Sequence, residues 1–128
     1  MEVGALATTS VLTVRPGDSL QEVARRMTER NVGAAAVVTG DGSPGIITER
    51  DLMRAMATGA DPASATVVEY MTANAITASE SWSVAEAARA MIHGRFRHLL
   101  VLGSGGEITG ILSIRDLVES LLEGYSED

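Results

Sequence analysis

The sequence predicts an α/β (α+β) protein built from two β-α-β-β-α repeats that pack about a pseudo-twofold axis. The chain of 128 residues repeats itself at a displacement of 64 to 65 positions, so that Ser19 matches Ser83 and Asp51 matches Asp116. Apolar residues recur at helical spacing after each of these serines, and two short apolar runs follow in each copy. Because units of about 50 residues are too small to cover a sheet alone, we expect them to pack together and form two related clefts.

Each repeat contains the same predicted elements in the same order. A short strand at residues 11–14 or 75–78 precedes an amphipathic helix that begins after Ser19 or Ser83. A glutamate three positions after each serine is typical of a capping box. A last helix begins near Glu49 or Ile114. Two apolar strands, joined by turns rich in Gly, Asp and Ser, come before it, at residues 34–38 and 45–47 and at residues 99–102 and 110–112.

The chain is divided by a connector at residues 59–65, which is small, polar and contains proline. We therefore assign residues 1–65 to the first repeat with its linker and residues 66–128 to the second repeat. The acidic C-terminus from residue 123 to 128 is predicted to be a solvated tail.

Composition excludes several classes of protein. With no cysteine and only two histidines, the chain has no disulfide framework, no Cys nucleophile and little with which to build a zinc site. Together with the lack of a Ser-His-Asp pattern, this argues against an enzyme. A net charge of −7 and 3% aromatic residues argue against a nucleic-acid partner. No apolar run approaches the roughly 18 residues of a membrane span, and no signal peptide is evident, so we expect a cytoplasmic protein without a membrane partner.

The most informative residues lie where a buried strand leads into a helix. Thr48 and Asp51 in the first repeat match Ser113 and Asp116 in the second. One interpretation is structural, because a hydroxyl residue followed three positions later by an acid is typical of a helix cap. The other is functional. A helix start that carries free N–H groups, a hydroxyl and an arginine can bind phosphate, and a carboxylate beside it can accept hydrogen bonds from ribose.

The repeated arginine and glycine favour the functional interpretation. Arg50 and Arg115 each lie in a first helical turn, where a cation is unfavourable to the helix dipole. Gly45 and Gly110 precede the elements, as close approach of a ligand to the backbone would require.

The sequence resembles a tandem pair of CBS (cystathionine β-synthase) domains over nearly its whole length. The resemblance depends on the paired elements from Gly45 to Asp51 and from Gly110 to Asp116, and on the segment at residues 67–72, which is similar to the entry into a second repeat. It implies a regulatory module that binds an adenosyl ligand in a cleft between the repeats.

The resemblance also implies a role for individual residues. Asp51 and Asp116 would hold ribose, Thr48, Ser113, Arg50 and Arg115 would form the phosphate side, and Thr13 and Thr77 would border the base. The basic residue that the family often carries at the start of its second strand is present as Arg97 and His98 in the second repeat. The first repeat has Gly33 and Ala34 there, so the two clefts are not expected to be equivalent.

The main functional hypothesis is a non-catalytic sensor that requires no cofactor. Its candidate ligands are AMP, ADP, ATP and S-adenosylmethionine, and its signal would pass to a separate effector protein. The alternative is a ligand-free structural or interaction module whose clefts are vestigial. Nucleic-acid binding through Arg95, Arg97 and Arg115 is a weaker possibility. Apolar helix faces predict a homodimer; they comprise Leu52, Met53, Met56, Leu117, Val118, Leu121 and Leu122.

Overall fold

The structure is a computed structural model that describes residues 1–40 and 42–126. The chain divides into two compact units, one formed by Leu12–Ala75 and the other by Met1–Val11 together with Ile76–Asp128. Within the described residues each unit contains a three-stranded sheet and its helices. The predicted mixed class with two β-α-β-β-α repeats is confirmed.

The unit formed by Leu12–Ala75 is built around a central strand, β2. Its elements are β1 (Thr13–Val14), α1 (Leu20–Arg30), β2 (Ala34–Val37), β3 (Gly45–Thr48), α2 (Glu49–Ala57) and the short α3 (Val67–Tyr70). β2 pairs in parallel with β1 and antiparallel with β3. Alternate residues of a strand point to opposite faces of the sheet. Val37 and Ile47 lie on the face that α1 and α2 cover, where they belong to one buried cluster with residues of both helices. The core on that face comprises Leu12, Val14, Leu20, Val23, Met27, Ala35, Val37, Ile47, Ala55, Ala65 and Val67.

The second unit repeats this arrangement around β5. A 3₁₀ turn (Val3–Ala5) comes first, and β4 (Thr77–Ser79), α4 (Val84–Gly94), β5 (His98–Leu102), β6 (Ile108–Ser113) and α5 (Ile114–Ser126) follow. β5 pairs in parallel with β4 and antiparallel with β6. β6 begins two residues before the predicted start, because Ile108 pairs with Leu102 beyond a register shift. The core comprises Val3, Ala78, Ala87, Met91, Leu99, Val101, Leu112 and Leu117.

The segment that precedes each repeat lies in the unit of the other repeat. Thr8, ahead of β1, forms an antiparallel bridge with Ile111 of β6, with N···O distances of 2.9 and 3.0 Å. Thr72, ahead of β4, forms the matching bridge with Ile46 of β3, again at 2.9 and 3.0 Å. One compact unit therefore combines two segments that are distant in sequence, Met1–Val11 and Ile76–Asp128, whereas the other is the continuous stretch Leu12–Ala75. The boundary that the sequence predicts between the two repeats, after residue 65, stays a prediction.

The matching helices α1 and α4 begin in related but different ways. At α4 the capping box is complete, since Ser83 Oγ accepts from the Glu86 N–H at 3.1 Å and Glu86 accepts from the Ser83 N–H at 3.2 Å. At α1, Ser19 Oγ accepts from the Glu22 N–H, but the Glu22 carboxylate binds Arg25 instead. That side-chain hydrogen bond from Arg25 lowers the pKa of Glu22. The predicted box at Ser19 is therefore only half formed.

The apolar faces predicted for α2 and α5 are narrower than expected. Leu117 is buried in one core and Leu52 packs against the other, which corrects their place in the predicted exposed faces. The members that stay exposed are Met53, Met56, Val118, Leu121 and Leu122.

Two sequence predictions fall partly beyond the described residues. α5 continues to Ser126, so the solvated tail predicted from residue 123 is helical over its first part. Asp41, Glu127 and Asp128 lie outside the residues that the structure describes. In the described part of the chain, no helix is long and apolar enough to cross a membrane.

Candidate functional site

The first candidate cluster lies where β3 ends and α2 begins. Thr48 is the N-cap, and its Oγ1 accepts from the Asp51 N–H at 3.4 Å. Asp51 Oδ2 in turn accepts from the Thr48 N–H at 2.8 Å and from the Thr48 hydroxyl at 3.2 Å. Asp51 is 5% exposed. The capping interpretation of this pair is confirmed.

The second candidate cluster has the same geometry at the start of α5. Ser113 Oγ accepts from the Asp116 N–H at 3.2 Å, and Asp116 Oδ2 accepts from the Ser113 N–H at 2.8 Å and from its hydroxyl at 3.1 Å. Asp116 is half-buried. Both hydrogen bonds that this carboxylate accepts within the described residues end on Oδ2, so Oδ1 has no hydrogen-bond partner among those residues.

The two clusters differ in a residue that the sequence analysis missed. Arg54, one turn after Asp51, donates a hydrogen bond from Nη2 to Asp51 Oδ1. The matching position in the second repeat, displaced by 65, is Glu119, which binds Arg115 Nε at 3.1 Å. The sequence shows that these two positions carry opposite charges and lie three residues after each Asp. At that spacing an arginine can pair with the aspartate on a helix, and this signal could have identified Arg54.

The hydroxyl residues of each cluster lie on one face of their sheet. Thr48 is the register partner of Ala34, and Thr13 is the partner of Ala36 two residues further along β2. Register partners share a face, and positions two apart do as well. Thr13 and Thr48 therefore lie on the face opposite the helix-covered core. Thr13 is on the outer strand β1, and no hydrogen bond of the described residues joins it to Asp51.

The same relation holds in the second sheet. Ser113 is the register partner of His98, and Thr77 is the partner of Leu100. Thr77, His98 and Ser113 therefore share the face opposite the core of their unit. Thr77 is half-buried on the outer strand β4.

Basic side chains surround the second junction more densely than the first. The carbonyl of Arg97 accepts from the N–H of Ile114, the first residue of α5, at 2.8 Å. This bond holds Arg97 and His98 beside Ser113, with the Arg97 side chain exposed. Arg50 and Arg115 are likewise exposed in the first turns of α2 and α5. The second cluster thus gathers Arg97, His98, Ser113, Arg115 and Asp116, whereas the first gathers Thr48, Arg50, Asp51 and Arg54.

The repeated glycines serve the fold within each unit. A Cβ on Gly45 would lie 3.0 Å from the Thr72 carbonyl oxygen. A Cβ on Gly110 would lie 2.9 Å from Ala7 Cβ and 3.1 Å from the Thr8 carbonyl oxygen. The close approach inferred from the sequence is thus made by the chain's own leading segments, which replaces the interpretation of these glycines as a sign of a ligand.

Metal-binding residues are not clustered in the part of the chain that the structure describes. There, no group of three or more His, Asp or Glu side chains is placed to hold a metal ion.

Two β-α-β-β-α repeats, each with a hydroxyl–aspartate pair at its second strand-to-helix junction, define a tandem-repeat module. The model of the CBS domain matches residues 3–58 and again residues 67–123. The chain belongs to the CBS domain family and carries two copies of the domain, as the resemblance implied.

The chain is similar to relatives of different lengths. An uncharacterised 17.7 kDa protein of Acidianus ambivalens is 38% identical over 126 residues, which cover 98% of this chain and 76% of that protein. A relative from Methanopyrus kandleri is 31% identical over 93% of this chain, which spans 62% of that protein. The CBS domain-containing protein CBSCBSPB1 of Arabidopsis thaliana is 33% identical over 83% of this chain, which spans only 20% of that protein.

Solved structures show the same fold. A protein with CBS domains from Burkholderia ambifaria superposes with a TM-score of 0.89 at 34% identity, covering 96% of this chain and 95% of that one. A CBS domain protein from Pyrobaculum aerophilum, complexed with AMP, gives a TM-score of 0.82 at 28% identity over 91% and 89% of the two chains. A CBS domain pair in complex with 5′-methylthioadenosine and S-adenosyl-L-methionine gives 0.85 at 25% identity over 94% and 99%. These comparisons indicate no catalytic family.

Proposed function

We propose that this chain is a non-catalytic regulatory module that binds an adenine nucleotide or another adenosyl ligand at its strand-to-helix clusters. The observation that carries the proposal is the Asp116 carboxylate. Ser113 donates two hydrogen bonds to one of its oxygens at the start of α5, while the other oxygen accepts none from the described residues. A carboxylate oriented in this way can accept hydrogen bonds from a ribose without losing its structural role.

The surroundings of Asp116 suit the rest of such a ligand. The start of α5 carries the positive end of a helix dipole, which favours a phosphate. The Arg97 and Arg115 side chains are exposed beside it, and a guanidinium binds phosphate through two parallel hydrogen bonds. Against the net charge of −7, this local basic cluster is what would attract an anionic ligand.

Two solved relatives support this class of ligand, since one is complexed with AMP and the other with 5′-methylthioadenosine and S-adenosyl-L-methionine. We therefore keep AMP, ADP, ATP and S-adenosylmethionine as candidate ligands of this chain. None of them acts as a cofactor here, because the proposed module carries out no reaction. A separate effector protein as receiver of the signal and a cytoplasmic location also stay predictions.

A thermal-shift panel of these four compounds is the direct test. A ligand at 100 times its Kd stabilises the folded protein by about 2.7 kcal/mol, which raises the Tm of a chain of this size by several degrees. At least one compound should produce such a shift. If none does at millimolar concentration, the proposal is wrong.

The ribose role of Asp116 can be separated from its capping role by Asp116→Asn. Asparagine is also a good residue at a helix start, but it replaces one acceptor oxygen with a donor. Hydrogen bonds to charged groups contribute roughly 1.5–3 kcal/mol, so nucleotide affinity should fall at least about tenfold. Removing the 2′-hydroxyl from the ligand should cost less affinity in the variant than in the parent protein. The reason is that the variant has already weakened the acceptor of that hydroxyl. Asp61→Asn, at an exposed turn in the connector between the repeats, is the matched control.

The alternative function is a ligand-free interaction module. It is favoured by Asp51, both of whose oxygens already have partners within the protein. Ultraviolet absorbance of the supernatant after denaturing the purified protein separates the two functions, because only a nucleotide-binding module would release a co-purified nucleotide.

A further inference from the structure

The aspartates of the two clusters differ in the hydrogen-bond partners of their carboxylates. This difference follows from the charge of one equivalent position, which is Arg54 in the first repeat and Glu119 in the second. Asp51 Oδ2 accepts two hydrogen bonds from Thr48, and Oδ1 accepts one from Arg54. The Asp51 side chain is 8% exposed, whereas that of Arg54 is 61% exposed. Arg54 therefore covers the one oxygen of Asp51 that the cap leaves available.

A ribose hydroxyl would have to reach the same oxygen. The bond from Arg54 is charge-assisted, and such bonds are roughly twice as strong as neutral ones. A neutral ribose hydroxyl that replaces Arg54 forms a weaker hydrogen bond with Asp51 and leaves the Arg54 guanidinium without a charged partner. A ligand that brings only a ribose thus competes poorly for Asp51.

The second cluster has no such competitor within the described residues. Glu119 occupies the position that matches Arg54, and its carboxylate binds Arg115 Nε at 3.1 Å. Glu119 and Asp116 carry the same charge and do not pair, and no cation of the described residues donates a hydrogen bond to Asp116 Oδ1.

We propose that Arg54 is a specificity-determining residue, which restricts the first cluster to adenosyl ligands that carry a phosphate. A phosphate gives the displaced guanidinium a new charged partner, so that one charge-assisted bond is exchanged for another. The exposed side chain of Arg54 can turn away from Asp51 without leaving a buried cavity. The second cluster, by contrast, also accepts nucleosides, although its arginines favour a ligand that carries a phosphate. This inference depends on the proposed adenosyl-binding function.

The test is calorimetric titration of the full chain with adenosine and with AMP. In an Asp116→Asn background, which reports on the first cluster, AMP should bind at least tenfold more tightly than adenosine. Adding Arg54→Gln, which removes the cation but keeps a polar side chain, should raise adenosine affinity at least fivefold and narrow the ratio of AMP affinity to adenosine affinity.

The reciprocal experiment places a cation in the second cluster. In an Asp51→Asn background, Glu119→Arg should weaken adenosine at least fivefold relative to Glu119→Gln. Both variants release Arg115, so their difference isolates the new cation beside Asp116. This pair also keeps the inference testable if the Arg54→Gln variant fails to fold, which circular dichroism would show.

The outcomes separate the two proposals. In one outcome the parent binds AMP or adenosine, Arg54→Gln leaves the ratio of AMP affinity to adenosine affinity unchanged, and Glu119→Arg binds adenosine as tightly as Glu119→Gln does. The specificity role of Arg54 is then overturned, and the proposed function stands. If neither compound binds the parent or any variant, the proposed function is overturned, and the role of Arg54 with it.

Discussion

The aspartates at the two helix starts act as caps in the free protein, and the capping and ribose interpretations therefore concern different oxygens of one carboxylate. Oδ2 of both Asp51 and Asp116 is committed to its N-cap residue. Oδ1 distinguishes them, since it accepts a hydrogen bond from Arg54 in the first cluster and from none of the described arginines in the second. The motif in the sequence ends at the aspartate and so predicts the shared bonds but not this difference.

This difference predicts unequal effects of the same substitution on stability. Asp51→Asn removes a charge-assisted bond from a buried carboxylate and turns an amide N–H towards Arg54. It should lower the free energy of unfolding by about 1–2 kcal/mol, a value reduced by the exposure of the Arg54 side chain. Asp116→Asn keeps an acceptor for the cap and breaks no ion pair of the described residues, so it loses mainly the interaction of its charge with the helix dipole, about 0.3–1 kcal/mol.

Urea unfolding of the ligand-free proteins measures both values. Equal losses for the two variants would show that the Arg54 ion pair contributes nothing to stability.

At the scale of elements, the ends of α1 and α4 show where two similar repeats differ in backbone strain. Asn31 and Arg95 both adopt the left-handed conformation that ends each helix, with φ of 55° and 57°. Asparagine tolerates this region, whereas arginine carries the full steric cost of its Cβ. The sequence alignment pairs these positions but does not reveal that both have positive φ.

Replacing Arg95 with glycine should therefore stabilise the protein. Removing the Cβ relieves a cost of roughly 1 kcal/mol, part of which the greater backbone freedom of glycine in the unfolded chain offsets. We expect Arg95→Gly to raise the free energy of unfolding by about 0.5 kcal/mol in urea titrations. Arg95→Ala is the control, because it removes the side chain but keeps the Cβ. If both variants gain equally, strain at the Cβ is not the cause.

The glycines at the start of β3 and within β6 predict the opposite effect. A methyl group on Gly110 would meet Ala7 and the backbone of Thr8, which are held in place by the bridge to Ile111. Overpacking of this kind costs typically 1–3 kcal/mol, so Gly110→Ala should lower the Tm by several degrees.

Gly17→Ala provides the matched control, since a Cβ at Gly17 meets no atom within 4 Å. Its Tm should stay the same or rise slightly, because alanine restricts the unfolded chain. A Tm for Gly110→Ala as high as that of the control would contradict the close approach of the leading segment.

At the scale of the whole molecule, the repeat pattern predicts the elements but not how they are shared between the units. Thr8 and Thr72 correspond in sequence, as do Ile46 and Ile111, and either leading segment has the residues to pair with either sheet. The structure pairs Thr8 with the second sheet and Thr72 with the first. Sequence similarity identifies matching residues, but partner choice depends on chain connectivity and on burial of side chains such as Val3, which only three-dimensional packing settles.

The exposed apolar side chains of α2 and α5 predict a homodimer. Val118, Leu121 and Leu122 are 49–61% exposed and recur at spacings of three and four, which places them on one stripe of α5. Met53 and Met56 are 65% and 79% exposed on α2. Monomeric proteins rarely leave such stripes in water, and a second copy of the chain offers the same stripes in return. Light scattering at micromolar concentration should give twice the mass of the 13.4 kDa chain.

A substitution on these helices should then produce the monomer. The double variant Met56→Glu with Leu121→Glu places four charges in a twofold interface, where burying unpaired carboxylates costs several kcal/mol. Its light-scattering mass should fall to that of one chain, with circular dichroism unchanged because both positions are exposed in the single chain. Ile92→Glu on α4 changes a residue of similar exposure, 71%, outside the α2 and α5 stripes and should stay dimeric. A monomeric parent would refute the dimer, whereas a dimeric double variant would place the interface on another face of the protein.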